Sequence, residues 1–324
     1  MSRLCKIVEE EEVAYEELLS YLMGWEKEHA PFDVVSKLPH YEFRAQNGGH
    51  LQPLANLPAL REFNLNEHSL EQMLQRMDFP VRFFRRLPPG LQYASVNWLV
   101  QNGAYDRDVL LRVIDSNVVR AMLSSKYEPF DHLVLVKLLE PYVGGGEIRW
   151  QYLDEDVLHL SVSFPHKAAE IRVGDVVETG VHVSNSEVGL RSVTIAAYVF
   201  RLKCKNGVIG RDGGAVYRFR HVGDNDRLRQ MVESALADVW MEAESIVAKY
   251  KLALQKKVEH PSDVIQSVCK EKALTQDEYK AVLNSFFEEP GDSYFEISQG
   301  FSRAAQKLPA ERSYELQRIA SEVL

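Results

Sequence analysis

The sequence predicts an α+β protein: an antiparallel meander sheet of about five strands packed by a long helix, with helical N- and C-terminal modules. Three observations predict it. Strict alternation runs through Ile148–Trp150–Tyr152, Leu158–Leu160–Val162–Phe164 and Val177–Thr179–Val181–Val183, and two more strand-type runs follow at Ser192–Cys204 and Ala215–Val222. The stretch from Asn225 to Val258 then holds neither Pro nor Gly, with Met231, Leu236, Val239, Trp240, Ile246, Val247 and Leu252 forming its apolar face. On both sides of this block lie helix signals, Ser69 and Pro80 before it and the Thr275-x-x-Glu278 capping box after it.

Taken in order, Val8–Lys27 reads as a helix whose early glutamates suit the helix dipole. Ala30–Glu67 is rich in Pro, Asn and Gly and reads as irregular, with one short hairpin at Asn47-Gly48-Gly49. Ser69 is expected to cap a helix over Leu70–Met77, Pro80 to open a second, and Leu91–Gln101 to form a third. Val109–Ile114 and Val118–Ser124 read as strands, and Phe130–Glu140 as a helix stopped by Pro141 and the glycines after Val143. The hairpin at Asp154-Glu155-Asp156 starts the meander. Antiparallel order follows from the short connections. Beyond His260-Pro261 the chain reads as short helices: Ser262–Lys270, Thr275–Phe287, Tyr294–Gln306 and Ala310–Leu324. The expected modules are 1–109, helical and irregular; 110–260, the sheet domain; and 261–324, helical.

The totals are those of an ordinary globular chain, 324 residues with 45% hydrophobic and 26% charged. No run is apolar enough to span a membrane, and the N-terminus lacks a secretory core. Cys5, Cys204 and Cys269 form no CxxC pair, which suits a reducing cytoplasm. Net charge is −9, yet Arg191 to Arg229 holds nine bases against three acids, a local +6. That footprint reads either as a binding face or as charge paired with the acidic ends of the chain.

No phosphate loop, nucleophile elbow or HExxH helix is present, so the expectation is no catalytic residues, no metal and no cofactor. His159 and His182 fall opposite the alternating apolar residues and read as surface histidines on a solvated face; a metal site with Glu178 is the alternative. Alternate residues of a strand share a face. Arg191, Arg201, Lys203 and Lys205 should therefore lie on one side of the fourth strand, with Tyr198, Phe200, Leu202 and Cys204 on the other. Arg218 and Arg220 repeat the pattern on the fifth, opposite Tyr217 and Phe219. The glycine-rich connection from Lys205 to Gly214 can approach a phosphate closely. Such a comb of cations tracks a phosphate backbone without reading sequence.

Several segments together resemble one family. They are Asp78–Pro88 with Val96-Asn97-Trp98-Leu99; Leu110–His132; Ser184-Asn185-Ser186-x-x-Gly189 followed by Cys204-Lys205-Asn206-Gly207; and Ser302-Arg303-Ala304-Ala305. In that order they resemble the phage/plasmid-like protein family, domain of unknown function 932, over about Leu70–Leu324. Glu187-Val188 stands where the family has His-Asp. The resemblance implies a mobile-element setting but no activity. Helix, antiparallel meander and long crossing helix are also similar, by analogy, to the core of single-strand annealing proteins. The expected function is a cytoplasmic, homo-oligomeric DNA-binding protein favouring single strands. Its sites would be Arg191, Arg201, Lys203, Lys205, Arg218 and Arg220 on phosphates, with Asn185, Ser186, Asn206 and Gly207 shaping the loops. The alternatives are a protein-interaction factor of a mobile element, for counter-defence or the virion, and an enzyme.

Overall fold

Strand pairing sorts the chain into two sheets. The computed structural model describes residues 15–46, 48–55, 60–143, 146–210 and 216–324. In the first sheet β1 (Phe32–Lys37), β2 (Tyr41–Arg44), β3 (His50–Pro53), β4 (Phe63–Leu65), β5 (Asp108–Ile114) and β6 (Val118–Ser124) lie in the order β1-β5-β6-β4-β3-β2. All neighbours are antiparallel except β4 and β6. The helices α2 (Glu67–Arg76), α3 (Val81–Phe84) and α4 (Pro89–Gln101) close a core of Phe43, Phe63, Met73, Phe84, Val96 and Leu111.

This lobe corrects three expectations. The stretch 30–67, read as irregular, supplies four strands; β2 and β3 are its hairpin, flanking Asn47, which lies outside the described residues. The boundary at 109/110 falls inside β5, which pairs with β1 through Val34↔Leu111, so the lobe runs on through β6. The cap of α2 also shifts: Asn66 accepts from the Ser69 backbone N–H at 2.8 Å, while the Ser69 hydroxyl donates to the Val119 carbonyl.

The second sheet is the predicted meander. β7 (Glu147–Leu153), β8 (Leu158–Arg172), β9 (Asp175–Asn185), β10 (Val193–Arg201) and β11 (Asn206–Ile209) pair in sequence order, all antiparallel. β12 (Val216–Phe219) shares the outer edge of β10 with β11: β11 takes the half ending at Arg201, β12 the half beginning at Val193. The 31-residue α6 (Asn225–Gln255), capped by Asp224, crosses one face. At 1.5 Å per residue it spans roughly 46 Å. Gly180 lets β8 and β9 close at their bulge; a Cβ there would stand 1.9 Å from the Val162 carbonyl oxygen.

α1 (Tyr15–His29) packs on α5 (His132–Val143), with Leu18 and Leu22 buried and the Tyr15 hydroxyl donating to Val136 at 2.7 Å. The start of the predicted Val8–Lys27 helix lies outside the described residues. The C-terminal module is helical, as expected: α7 (Pro261–Glu271), α8 (Gln276–Phe287), α9 (Tyr294–Ala305) and α10 (Ala310–Val323). The predicted Thr275/Glu278 capping box is present. Every side chain of α9 from Phe295 to Ala305 is buried, among α6, α7, α8, α10 and β11.

Both faces of the second sheet are therefore covered. Odd-numbered residues of β10, Val193 to Val199, face the main core with α6 and α9. Even-numbered Ala196, Tyr198 and Phe200 face a smaller cluster with Tyr314 of α10.

Candidate nucleic-acid interface

The register places Arg201 on the odd face of β10, and that face is core. Its side chain is 1% exposed. The guanidinium donates to Asp175 from Nε at 2.7 Å and Nη2 at 2.5 Å, and to Glu289 from Nη1 at 2.6 Å and Nη2 at 2.9 Å. It also lies 5.1 Å from the centre of the Phe295 ring. Burial opposes its charge, and the two carboxylates outweigh that and keep it protonated. Glu289 also takes Lys203 at 2.8 Å, Arg303 at 2.7 Å and Arg172 at 3.2 Å, and its carboxyl is held below the usual range, chiefly by Arg201.

The strand also ends sooner than expected. β10 stops at Arg201, and the chain turns through Leu202–Lys205, with Lys205 in the left-handed region at φ 52°, before returning as β11. Parity cannot align Lys203 and Lys205 with Arg201 across that turn. The Lys205 carbonyl accepts from Gln306, and Arg191, which precedes the strand, pairs with Glu311. The comb thus resolves into separate contacts, several of them with acids of the C-terminal module.

The turn residues are interior too. Asn206 is buried and donates to Gln299 at 2.9 Å and Ser302 at 2.8 Å, and a Cβ on Gly207 would meet the Tyr198 hydroxyl at 2.0 Å. Asn185 and Ser186 are fully buried. Asn185 donates to the Phe130 carbonyl at 2.7 Å, and the Ser186 carbonyl accepts from Tyr127 at 3.0 Å. These four positions shape the interior.

Beside them lies a cluster that sequence reasoning missed. Glu187 follows β9 and reaches the first sheet: one carboxylate oxygen accepts from Arg120 of β6, the other from the backbone N–H of His132 at 2.5 Å. Arg112 of β5 donates to the Glu187 carbonyl at 3.0 Å, Asp33 at 3.0 Å and Asp131 at 2.7 Å. Burial would raise the Glu187 carboxyl, but His132, Arg120 and Arg112 hold it well below the usual range. A cavity of about 20 Å³ adjoins it, lined by Trp25, Arg120, His132 and Glu155, room for one water. In the sequence the cluster is split between Glu187, an acid between two turn motifs, and the Leu110–His132 segment, and nothing local joins them because the partners lie 55 to 75 positions apart.

The sheet histidines are a further correction. His159 and His182 are fully buried, because Tyr314 of α10 covers the face read as solvated, its ring centre 4.7 Å from His159 and 5.2 Å from His182. Ser161 Oγ lies 2.9 Å from His182 Nδ1, His182 Nε2 3.5 Å from His159 Nδ1, and His159 Nε2 3.2 Å from a Glu311 oxygen. One donor direction satisfies this row: Ser161 to His182, His182 to His159, His159 to Glu311. Both rings are then neutral, in line with burial lowering each pKa. Glu178, the other proposed ligand, accepts from Arg149 at 2.8 Å and Ser163 at 2.5 Å.

Exposed side chains remain on Lys203, Lys205, Arg218, Arg220, Arg227 and Arg229. Tyr217 and Phe219 pack inward toward the main core, leaving Arg218 and Arg220 on the opposite side of β12. No family model, no curated protein and no solved structure matches this chain. No helix among the described residues is long and apolar enough to cross a membrane.

Proposed function

We propose that this is a DNA-binding protein of a phage, prophage or plasmid that grips the phosphate backbone without reading sequence, in the manner of single-strand annealing proteins, and acts as a homo-oligomer. One observation carries the reading: outside the internal ion pairs, Lys205, Arg220 and Arg227 present exposed cations on a chain of net charge −9, and the Arg218 side chain is exposed on the same strand end. Lys205 and Arg220 lie beyond opposite ends of β10, whose nine residues span roughly 30 Å at 3.3 Å each. A path of that length follows several nucleotides. Arg201, Asn206 and Gly207 hold the β10–β11 end of that edge from within.

The test is fluorescence anisotropy of labelled single- and double-stranded oligonucleotides across a salt series. Affinity should fall steeply with salt as counterions are released. Arg218→Glu with Arg220→Glu should weaken binding and flatten the salt slope by about two. No binding at low salt, or unchanged affinity in the double variant, sinks the proposal. Light scattering with and without oligonucleotide reads the oligomer.

A further inference from the structure

The geometry points to a masked phosphate site: Arg191 and His159 form a two-donor position that the Glu311 carboxylate fills, and that a backbone phosphate of nucleic acid takes over on binding. This rests on nucleic acid being the ligand, and it adds a position that the exposed cations do not reveal. Arg191 and Arg220 leave the same end of the β10–β12 pair, where Val193 faces Phe219. Arg191 also shares a face of the sheet with Arg218. In the pairs Ala196↔Val216 and Thr194↔Arg218 the partners lie on one side, and Val216 packs on the cluster of Ala196, Tyr198 and Tyr314. That side is the one under α10. The Arg191 guanidinium lies there too, 4.9 Å from the centre of the Tyr314 ring.

The pair at Arg191 differs in kind from the pair at Arg201. Arg201 is enclosed by two carboxylates in the interior, whereas the Glu311 side chain is 51% exposed and that of Arg191 21%. One Glu311 oxygen accepts from Arg191 Nη2 and the other from His159 Nε2 at 3.2 Å. The hydrogen bond from His159, with Arg191 beside it, keeps this carboxyl below the usual range, so the competitor stays charged. A half-exposed ion pair is weakly held and opens when the side chain turns into solvent. The donors left behind still need an acceptor. His159 is fully buried, and in the row from Ser161 through His182 its Nε2–H is the outermost donor; leaving such a donor unpaired is costly. An anionic oxygen therefore belongs at this position. A phosphodiester offers two of them, with the same single charge as the carboxylate it replaces. Arg191 Nε has no acceptor among the described residues, which leaves the guanidinium a second donor for a bidentate grip. Arg218 and Arg220 next to this position favour a chain of repeated phosphates over a lone carboxylate.

The experiment measures oligo(dT) affinity across a salt series for wild type, Glu311→Gln, Glu311→Gln with Arg191→Gln, and Asp277→Asn. The last is a charge-matched control, its side chain 96% exposed on α8. Glu311→Gln should tighten binding on the order of five-fold and steepen the salt slope by about one, because one more phosphate is held. Adding Arg191→Gln should cancel both changes, and Asp277→Asn should shift affinity by less than about two-fold. Arg191→Lys in the Glu311→Gln background keeps the cation without the planar fork. It should retain the steeper slope, which separates loss of the cation from loss of the fold; a wild-type slope there overturns the site. Unchanged affinity in Glu311→Gln overturns it as well. So does a gain that survives Arg191→Gln or appears equally in Asp277→Asn, since net charge alone then explains it. Those results leave the backbone-binding reading in place, whereas failure of wild type to bind any oligonucleotide removes both proposals.

Discussion

Replacing Arg201 by Ala separates a structural role for this arginine from a phosphate-binding one. The side chain makes four hydrogen bonds to two carboxylates, Asp175 and Glu289, whose own side chains are 3% and 20% exposed. Breaking a buried ion pair from one side costs about 3–5 kcal/mol, because the remaining charge stays buried without its partner. Here the remaining charges are partly compensated. Asp175 keeps Arg172 at 3.0 Å, and Glu289 keeps Lys203, Arg303 and Arg172. The expected loss is therefore near the lower end, about 3 kcal/mol. Urea unfolding followed by far-ultraviolet circular dichroism measures it, with Arg220→Ala as the exposed control, expected within about 0.5 kcal/mol of wild type. An Arg201→Ala protein within about 1 kcal/mol of wild type that has nonetheless lost oligonucleotide binding would refute the reasoning.

Glu187→Gln should cost about 3 kcal/mol, since Arg120 stays buried without the carboxylate that joins the two sheets; an unshifted unfolding midpoint would count against that. The Glu187 carboxyl is depressed in the fold, so its contribution is present above the unfolded value of about 4.3 and is lost as pH falls through the folded one, which acid titration of urea midpoints would show. His159 and His182 are also depressed, so unfolding takes up protons below about pH 6.5 and stability falls as pH drops, by up to about 1.4 kcal/mol per unit for each ring. His182→Gln should flatten that slope between pH 6.5 and 5; the rings share their pocket with Glu311, Arg191 and Arg318, and a slope equal to wild type would put the protonation elsewhere. Gly180→Ala should destabilise by about 3 kcal/mol or more, because the new methyl meets the β8 backbone rather than a movable side chain; a thermal midpoint within two or three degrees of wild type would contradict the close approach.

The sequence by itself determined what depends on neighbours along the chain. Alternation at Leu158–Phe164 and Val177–Val183, the Thr275/Glu278 box and the unbroken run after Asn225 each specify their element locally. Short connections then make the meander antiparallel. What lies across the chain was decided by tertiary structure alone. The first sheet depends on pairs such as Asn64↔Val118; β5 and β6 show as strands in the sequence, while β2, β3 and β4 have three or four residues, too short to show a period. Parity correctly divided β10 into two faces, but it cannot say what covers a face. Helix α9 brought a core to the side of Arg201, and α10 roofed His159 and His182. Charge behaved in the same way. Nine bases in one segment suggested a single surface, yet Asp175, Glu289 and Glu311 arrive from 26 to 120 positions away to pair with Arg201 and Arg191. An ion pair needs proximity in space, which composition does not record. The outer face of α4 is the converse case: the sequence marks a helix over Leu91–Gln101, and the fold alone leaves Trp98 and Leu91 facing outward.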